Sequence, residues 1–318
     1  MSDFNFSTTG SSVVERWGKA LTGKTVVITG SSTGTLGGET AITLASSRPA
    51  QIILLARSEP KVRGVIESIN AISPSTQCVF VPIELDDFDS VRTAALNIQR
   101  LVEGKVDVLI NNAGVMAIPW AKNKTGIEKT FAINHLGHFL LTGLLMPLIL
   151  AAGPGSRVVN LTSAGYKMGP FRREDWNFGD GETYHRLSAY AQSKTANVLF
   201  SVALAERYAR HGVLSFAAHP GYIPGTSLVS HTTLDASEMD RVSLENTGFP
   251  FAADEPKSLE QGIATTLVAA LSPDLAAHNG AYLADCQVEE TRQYARDPEL
   301  AEALWELSEE LVGEGFKV

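Results

Sequence analysis

The chain has 318 residues, 44% of them hydrophobic and 19% charged, with only two cysteines. A chain of this size buries most of its apolar surface unaided, which excludes a disulfide scaffold and a disordered segment. Twenty-six basic against 35 acidic residues give a formal charge of −9, a sign that rules out a polyanion groove but allows one local cation for one phosphate.

Residues 1–20 lack the basic start and continuous apolar run of a signal peptide. The expected compartment is therefore reducing and cytoplasmic, with Cys78 and Cys286 as reduced core thiols. The sequons at Asn5, Asn123 and Asn160 are coincidental on this reading. The greasiest run, 139–152, is 14 residues long and contains Pro147. A spanning helix needs about 20 apolar residues, so a buried core helix is expected there.

In chain order, the first motif is a decoy. Residues 18–25 (GKALTGKT) match the GxxxxGK[ST] phosphate loop literally, but that loop requires a strand before it and a helix after it. Here a short helical pattern (SSVVERW) precedes and the strand 25–29 follows. Further β-branched runs lie at 51–56, 78–83, 106–110, 157–161 and 213–217, with a weaker one at 281–284. They are nearly continuous rather than alternating, as in parallel strands covered on both faces. Helical patterns fall between them at 38–47, 61–72, 89–102, 126–150, 189–210 and 259–270, and an amphipathic stretch closes the chain at 298–312. This alternation predicts a doubly wound α/β fold: one Rossmann domain over 1–318, about seven parallel strands, helices on both faces. A lead at 1–22, a substrate loop at 222–257 and a helical cap at 290–318 would flank it. Residues 227–257 fit neither period.

The strand 25–29 runs into Gly30-Ser31-Ser32-Thr33-Gly34-Thr35-Leu36-Gly37. Gly30 permits a tight turn, Gly34 a close backbone approach and Gly37 close packing, while the following helix N-terminus favours a pyrophosphate. At the end of the second strand an acidic residue would bind the ribose hydroxyl of NAD, and a basic one suits the 2′-phosphate of NADP. The chain has Arg57-Ser58 there, with no carboxylate before Glu59. A forked guanidinium contact to phosphate favours NADP(H).

Tyr190 and Lys194, at i and i+4, share one face of a helix. A neighbouring ammonium is expected to lower the tyrosine pKa from about 10 towards neutrality, making it a proton donor or acceptor at a substrate oxygen. The pair follows a strand that ends in Thr162-Ser163, at the edge where this architecture binds its ligands.

Taken together, TGSSTGTLG (29–37), NNAG (111–114), NHLGHFLLT from Asn134, Ser163, YAQSK (190–194) and HPG (219–221) resemble the short-chain dehydrogenases/reductases over residues 22–290. NHLGHFLLT, AYAQSKTANVLF and the ending DPELAEALWELSEELVG are similar to its retinol-dehydrogenase-like branch, which includes many fungal and plant oxidoreductases. The resemblance implies Tyr190 as acid/base, Lys194 holding the nicotinamide ribose, Ser163 polarising the substrate oxygen, and Asn134 holding a water between Lys194 and solvent. It implies cofactor contacts from Gly30, Ser32, Thr33, Gly34, Leu36 and Gly37, from Arg57, Ser58, Glu84 and Leu85, and from Asn112, Ala113 and Gly114. Pro220, Gly221, Ile223 and Thr226 would complete them. The glycine loop is one residue longer than the family's, so either Gly37 or Leu36 takes the third glycine's slot. The segment after HPG is also longer by one.

The activity implied is hydride transfer between NADPH and a carbonyl or alcohol of an apolar small molecule, without a metal or nucleic acid. Readings also weighed are a non-catalytic NADP-binding regulator, which the retained Ser163, Tyr190, Lys194 and Asn134 oppose, and a reductase of imine or C=C bonds or an epimerase. His135 and His138 read as packing residues, and His219 as a local hydrogen-bonding group. Trp120, Trp176 and Tyr184 either line the substrate pocket or are simply buried. Helices at 126–150 and 189–210 often form dimer faces in that family, so a homodimer through them is an expectation.

Overall fold

A computed structural model describes residues 3–226, 228, 232 and 234–316. Positions 227, 229–231 and 233 of the expected substrate loop, 1–2 of the lead and 317–318 of the cap lie outside the described residues. Eight strands form one sheet in the order β3-β2-β1-β4-β5-β6-β7-β8. They are β1 (Thr25–Thr29), β2 (Gln51–Ala56), β3 (Gln77–Pro82), β4 (Val108–Asn111), β5 (Arg157–Leu161), β6 (Leu214–Ala218), β7 (Tyr282–Ala284) and β8 (Gln287–Glu289). The first seven are parallel, so the carboxyl ends of β1 to β6 meet along one edge. β8 is the addition to the seven expected strands, and it pairs antiparallel with β7. Its turn carries Asp285 and Cys286 at φ 49° and 65°. Two positive values are what a two-residue hairpin of this hand requires, but neither residue is the Gly or Asn that announces one.

Strand side chains alternate between two covers. Val27, Ile53, Leu55 and Leu109 pack under α4 (Phe88–Leu101), α6 (Gly137–Ala151) and α7 (Arg186–Tyr208). Val26, Ile28, Ile52, Leu54 and Ile110 pack under α1 (Gly10–Trp17), α2 (Leu36–Ala45), α3 (Arg63–Ile72) and α9 (Leu259–Leu271). With apolar partners on both sides, alternation has no polar phase, and the strands read as continuous apolar runs. The decoy loop is the turn between α1 and β1, with Gly23 at φ 73°.

α5 (Lys129–Phe131) passes through a π turn at Ala132–Leu136 into α6. The combined 23-residue helix, Lys129–Ala151, is longer than its greasy core suggested and is long and apolar enough to cross a membrane. Leu136, Phe139, Leu140, Leu141 and Leu145 of this helix are nonetheless packed inside the protein, in the same core as the sheet.

α8 (Ala236–Thr247) occupies the stretch that showed no period. It is capped by Asp235 and ended by Gly248 at φ 74°, and only Val242 and Ser243 are buried, so it has no apolar stripe to read. α10 (Pro298–Val312) lies across α6 and α7, with Trp305 against Phe139 and Phe200 and Arg207 paired to Glu302. All 23 residues of α7 are described, and only Glu206 among them is exposed. Most of the surface of α7 is thus covered by the chain's own elements.

Candidate active site

The site is built at the carboxyl edge of the sheet. After β1, Gly30 and Gly34 sit at φ 72° and 74°, open to glycine but strained for other residues. A Cβ on Gly37 would meet Asn112 Nδ2 at 2.5 Å and Gly30 O at 2.7 Å. Gly37 is thus the close-packing glycine. Leu36 turns instead towards α9, where it and Ile223 converge over Gly262. Thr35 caps α2: its hydroxyl accepts the Gly38 N–H and donates towards the Gly30 and Ser32 carbonyls. The first-turn N–H groups of Leu36 and Gly37 have no intrahelical acceptor, as at any helix start.

Around this loop, Thr33 is tied back to Lys61 O, and Thr226 to Ile223 O. Arg57 is exposed just beyond β2, with Ser58 half-buried beside it. Glu84 is exposed and Leu85 buried beyond β3. Asn112, Ala113 and Gly114 follow β4. The Asn112 amide donates to Thr29 O, and the main-chain N–H groups of Asn112 and Ala113 donate to Thr29 Oγ1, each at 2.9 Å or less.

That threonine leads to a residue the sequence left as packing. Burial holds His138 neutral, down to about 4. Its Nδ1–H donates to the Asn134 carbonyl, so Nε2 accepts from the Thr29 hydroxyl at 2.9 Å. Asn134 sits in the π turn. Its amide accepts from Val115 N and donates to Val115 O and Ser193 Oγ. The NNAG segment, the glycine loop and Asn134 are thereby one hydrogen-bonded unit.

Tyr190 and Lys194 project from the first turns of α7 beside Ser163. The Ser163 hydroxyl accepts the Gly165 N–H at 3.0 Å, and it and the edge of the Tyr190 ring both lie against Gly165. Lys194 Nζ donates to Leu161 O at 3.1 Å and lies 5.7 Å from the Tyr190 ring centroid. A Cβ on Gly114 would come within 3.2 Å of Asn134 Oδ1 and 3.5 Å of Lys194 Nζ, so glycine keeps that approach open.

The electrostatics correct one expectation. Burial pushes the Tyr190 phenol up to about 12, against the lowering effect of Ser163. Burial likewise pulls the Lys194 ammonium down to about 8. Lys194 faces a main-chain carbonyl rather than the phenolic oxygen, and desolvation outweighs its pull on Tyr190.

The surroundings of Tyr190 are apolar: Met116, Ala117, Met168, Leu187 and Val242 pack with it, joined by Met239 and Phe251. Trp120, Trp176 and Tyr184 are not in that group. Trp120 packs at a tilt against Tyr184, whose hydroxyl donates to Ile118 O, and Trp176 packs on Phe131.

The short chain dehydrogenase model matches residues 24–175. Retinol dehydrogenase 12 of Bos taurus is 39% identical over 295 residues, covering 92% of this chain and 87% of that protein. The chain belongs to the short-chain dehydrogenase family. Retinol dehydrogenase 13 of Homo sapiens is 36% identical, over 92% of this chain and 86% of its own length. Among solved structures, an uncharacterized protein from Mycobacterium paratuberculosis is 32% identical, with a TM-score of 0.72 over 94% of this chain and 96% of that one. NADPH-bound carbonyl reductase from chicken fatty liver shares the fold at 20% identity, TM-score 0.61, over 85% and 95% of the two chains. As a member of this family the chain is an oxidoreductase of the nicotinamide-dependent type.

Proposed function

We propose that the protein is an NADP(H)-dependent carbonyl reductase, or the alcohol dehydrogenase in reverse, acting on an apolar small molecule, with the whole chain serving as one cofactor-binding domain. The observation that carries this reading is the convergence of Ser163, the buried Tyr190 ring and Lys194 at the end of β5, with Met116, Met168 and other apolar side chains packed around Tyr190. The glycine loop fits a dinucleotide, since Gly34 turns at φ 74° into open space and the following helix N-terminus offers N–H groups without intrahelical acceptors. The exposed Arg57 supports the 2′-phosphate form. Relatives that are retinol dehydrogenases by name support an apolar primary alcohol or its aldehyde as substrate class.

When bound, the nicotinamide supplies or takes the hydride. The chain handles the oxygen and its proton. Ser163 donates a hydrogen bond to the substrate carbonyl oxygen and polarises it. Tyr190, held near 12, keeps its proton at neutral pH and gives it up only as charge grows on that oxygen. Lys194, charged below about 8, stabilises the phenolate that remains. Because the Asn134 amide is committed to Val115 and Ser193, any water relay from Lys194 would rest on the Asn134 main-chain carbonyl.

The test is NADPH consumption against a panel of apolar aldehydes and ketones. Turnover is expected in the wild type, with a loss of about 10²–10⁴-fold in Tyr190→Phe. Equal rates in the two proteins would overturn the assignment.

A further inference from the structure

His219 closes β6, two residues before the glycine turn at Gly221, and its side chain is 7% exposed. Nδ1 accepts two main-chain N–H groups, from Ala164 at 3.2 Å and from Gly221 at 3.3 Å. An atom that accepts cannot carry the proton, so Nε2 carries it and donates to Asp254 Oδ2 at 2.8 Å. The ring lies nearly parallel to that of Tyr282, 14° between planes, which sets its tilt. Asp254 stays ionised below the usual carboxylate range, its burial outweighed by His219 and by the charges of Lys167 and Lys257.

The two amides held by Nδ1 belong to the two segments that must meet across the reacting centre. Ala164 follows Ser163, and Gly221, at φ 87°, forms the turn after β6. Without a fixed acceptor at Nε2–H, the imidazole is free to place its proton on Nδ1, where it would oppose both amides. Asp254 comes from the segment after α8, on the substrate side, so it also anchors that segment to the strand end.

We infer that His219 and Asp254 are positioning residues for the reaction: the carboxylate fixes the imidazole tautomer, and the imidazole fixes Ser163 relative to the Gly221 turn. The inference rests on the proposed role of Ser163.

The test compares Asp254→Leu with Asp254→Asn and His219→Leu with His219→Asn in the full chain. Asparagine at 254 keeps an acceptor for Nε2–H, and asparagine at 219 keeps an oxygen near the place of Nδ1. Reading kcat and KM for NADPH-dependent aldehyde reduction, the leucine variants are expected to lose about tenfold in kcat, the scale of one charge-assisted hydrogen bond. KM should stay nearly unchanged, and the asparagine variants should recover most of the loss. Leucine variants within twofold of wild-type kcat, with only a lowered Tm, would overturn the inference. Amide hydrogen exchange reads the linkage without turnover: Ala164 and Gly221 should exchange about tenfold faster in Asp254→Leu, with β1 to β4 unaffected. A wild type that reduces no aldehyde or ketone would sink the proposed function. The pair is then judged on exchange, and unaltered protection at both amides would overturn it.

Discussion

Arg57 and Lys194 show how much a single charge decides at this site. Arg57 is an exposed cation just beyond β2, without an acidic residue before Glu59. Replacing it with alanine is expected to weaken NADPH binding by about 10- to 150-fold, the range of a hydrogen-bonded charge pair, while NADH binding changes little. Fluorescence titration with both nucleotides checks this, and equal losses for the two would remove the 2′-phosphate role. Lys194 sets a pH limit. Burial has moved its ammonium down to about 8, so the charge is present below that pH and disappears above it. The kcat of carbonyl reduction is therefore expected to fall as pH rises through about 8. A rate that stays flat to pH 10 would show that the ammonium is not required. Tyr190, Lys194 and Ser163 were legible in the sequence because spacing on one helix and a strand end bring them together. The effective charge state was not legible, because desolvation depends on the packing of Met116, Met168 and Leu187 around them.

Among the elements, β1 was readable as an uninterrupted apolar run, and α7 as a long stretch of helix formers between two strand-like runs, buried on nearly every side. α8 was not. It buries little and is held mainly by polar contacts: the Asn246 amide donates to Met168 O and Ser188 Oγ, and Arg186 pairs with Glu238. A helix fixed this way leaves no hydrophobic trace in its sequence. It is still an element with a consequence, because Val242 and Met239 pack on the Tyr190 side of the site. Asn246→Leu removes the link to Met168 and Ser188. The expected outcome is a several-fold rise in KM for an apolar aldehyde, with kcat at saturation within about twofold. A fall in kcat at unchanged KM would instead tie α8 to the chemical step. His219 and Asp254, 35 residues apart, were equally out of reach, since no spacing rule joins a strand end to the loop after α8.

For the whole molecule, the decisive feature is where α10 lies. An isolated α/β sheet with α6 and α7 uncovered would expose Phe139 and Phe200, an apolar face that invites a second copy. Here Trp305 closes that face, Ser308 bonds His135 beneath it, and Phe316 sits against Gly143. Arg92 then ties the end of the chain to α4 through Val312 O and Glu314. The chain thus covers with its own C-terminal helix the surface expected to pair. Light scattering on the purified 34.1 kDa chain is expected to give a monomer. Trp305→Ala should lower stability by about 3–5 kcal/mol, the usual cost of emptying a buried aromatic site, seen as a shifted denaturant midpoint. It should also promote concentration-dependent association, because the emptied site leaves Phe139 and Phe200 partly uncovered. A wild-type dimer that survives Trp305→Ala unchanged would mean that the pairing surface lies elsewhere than α6 and α7.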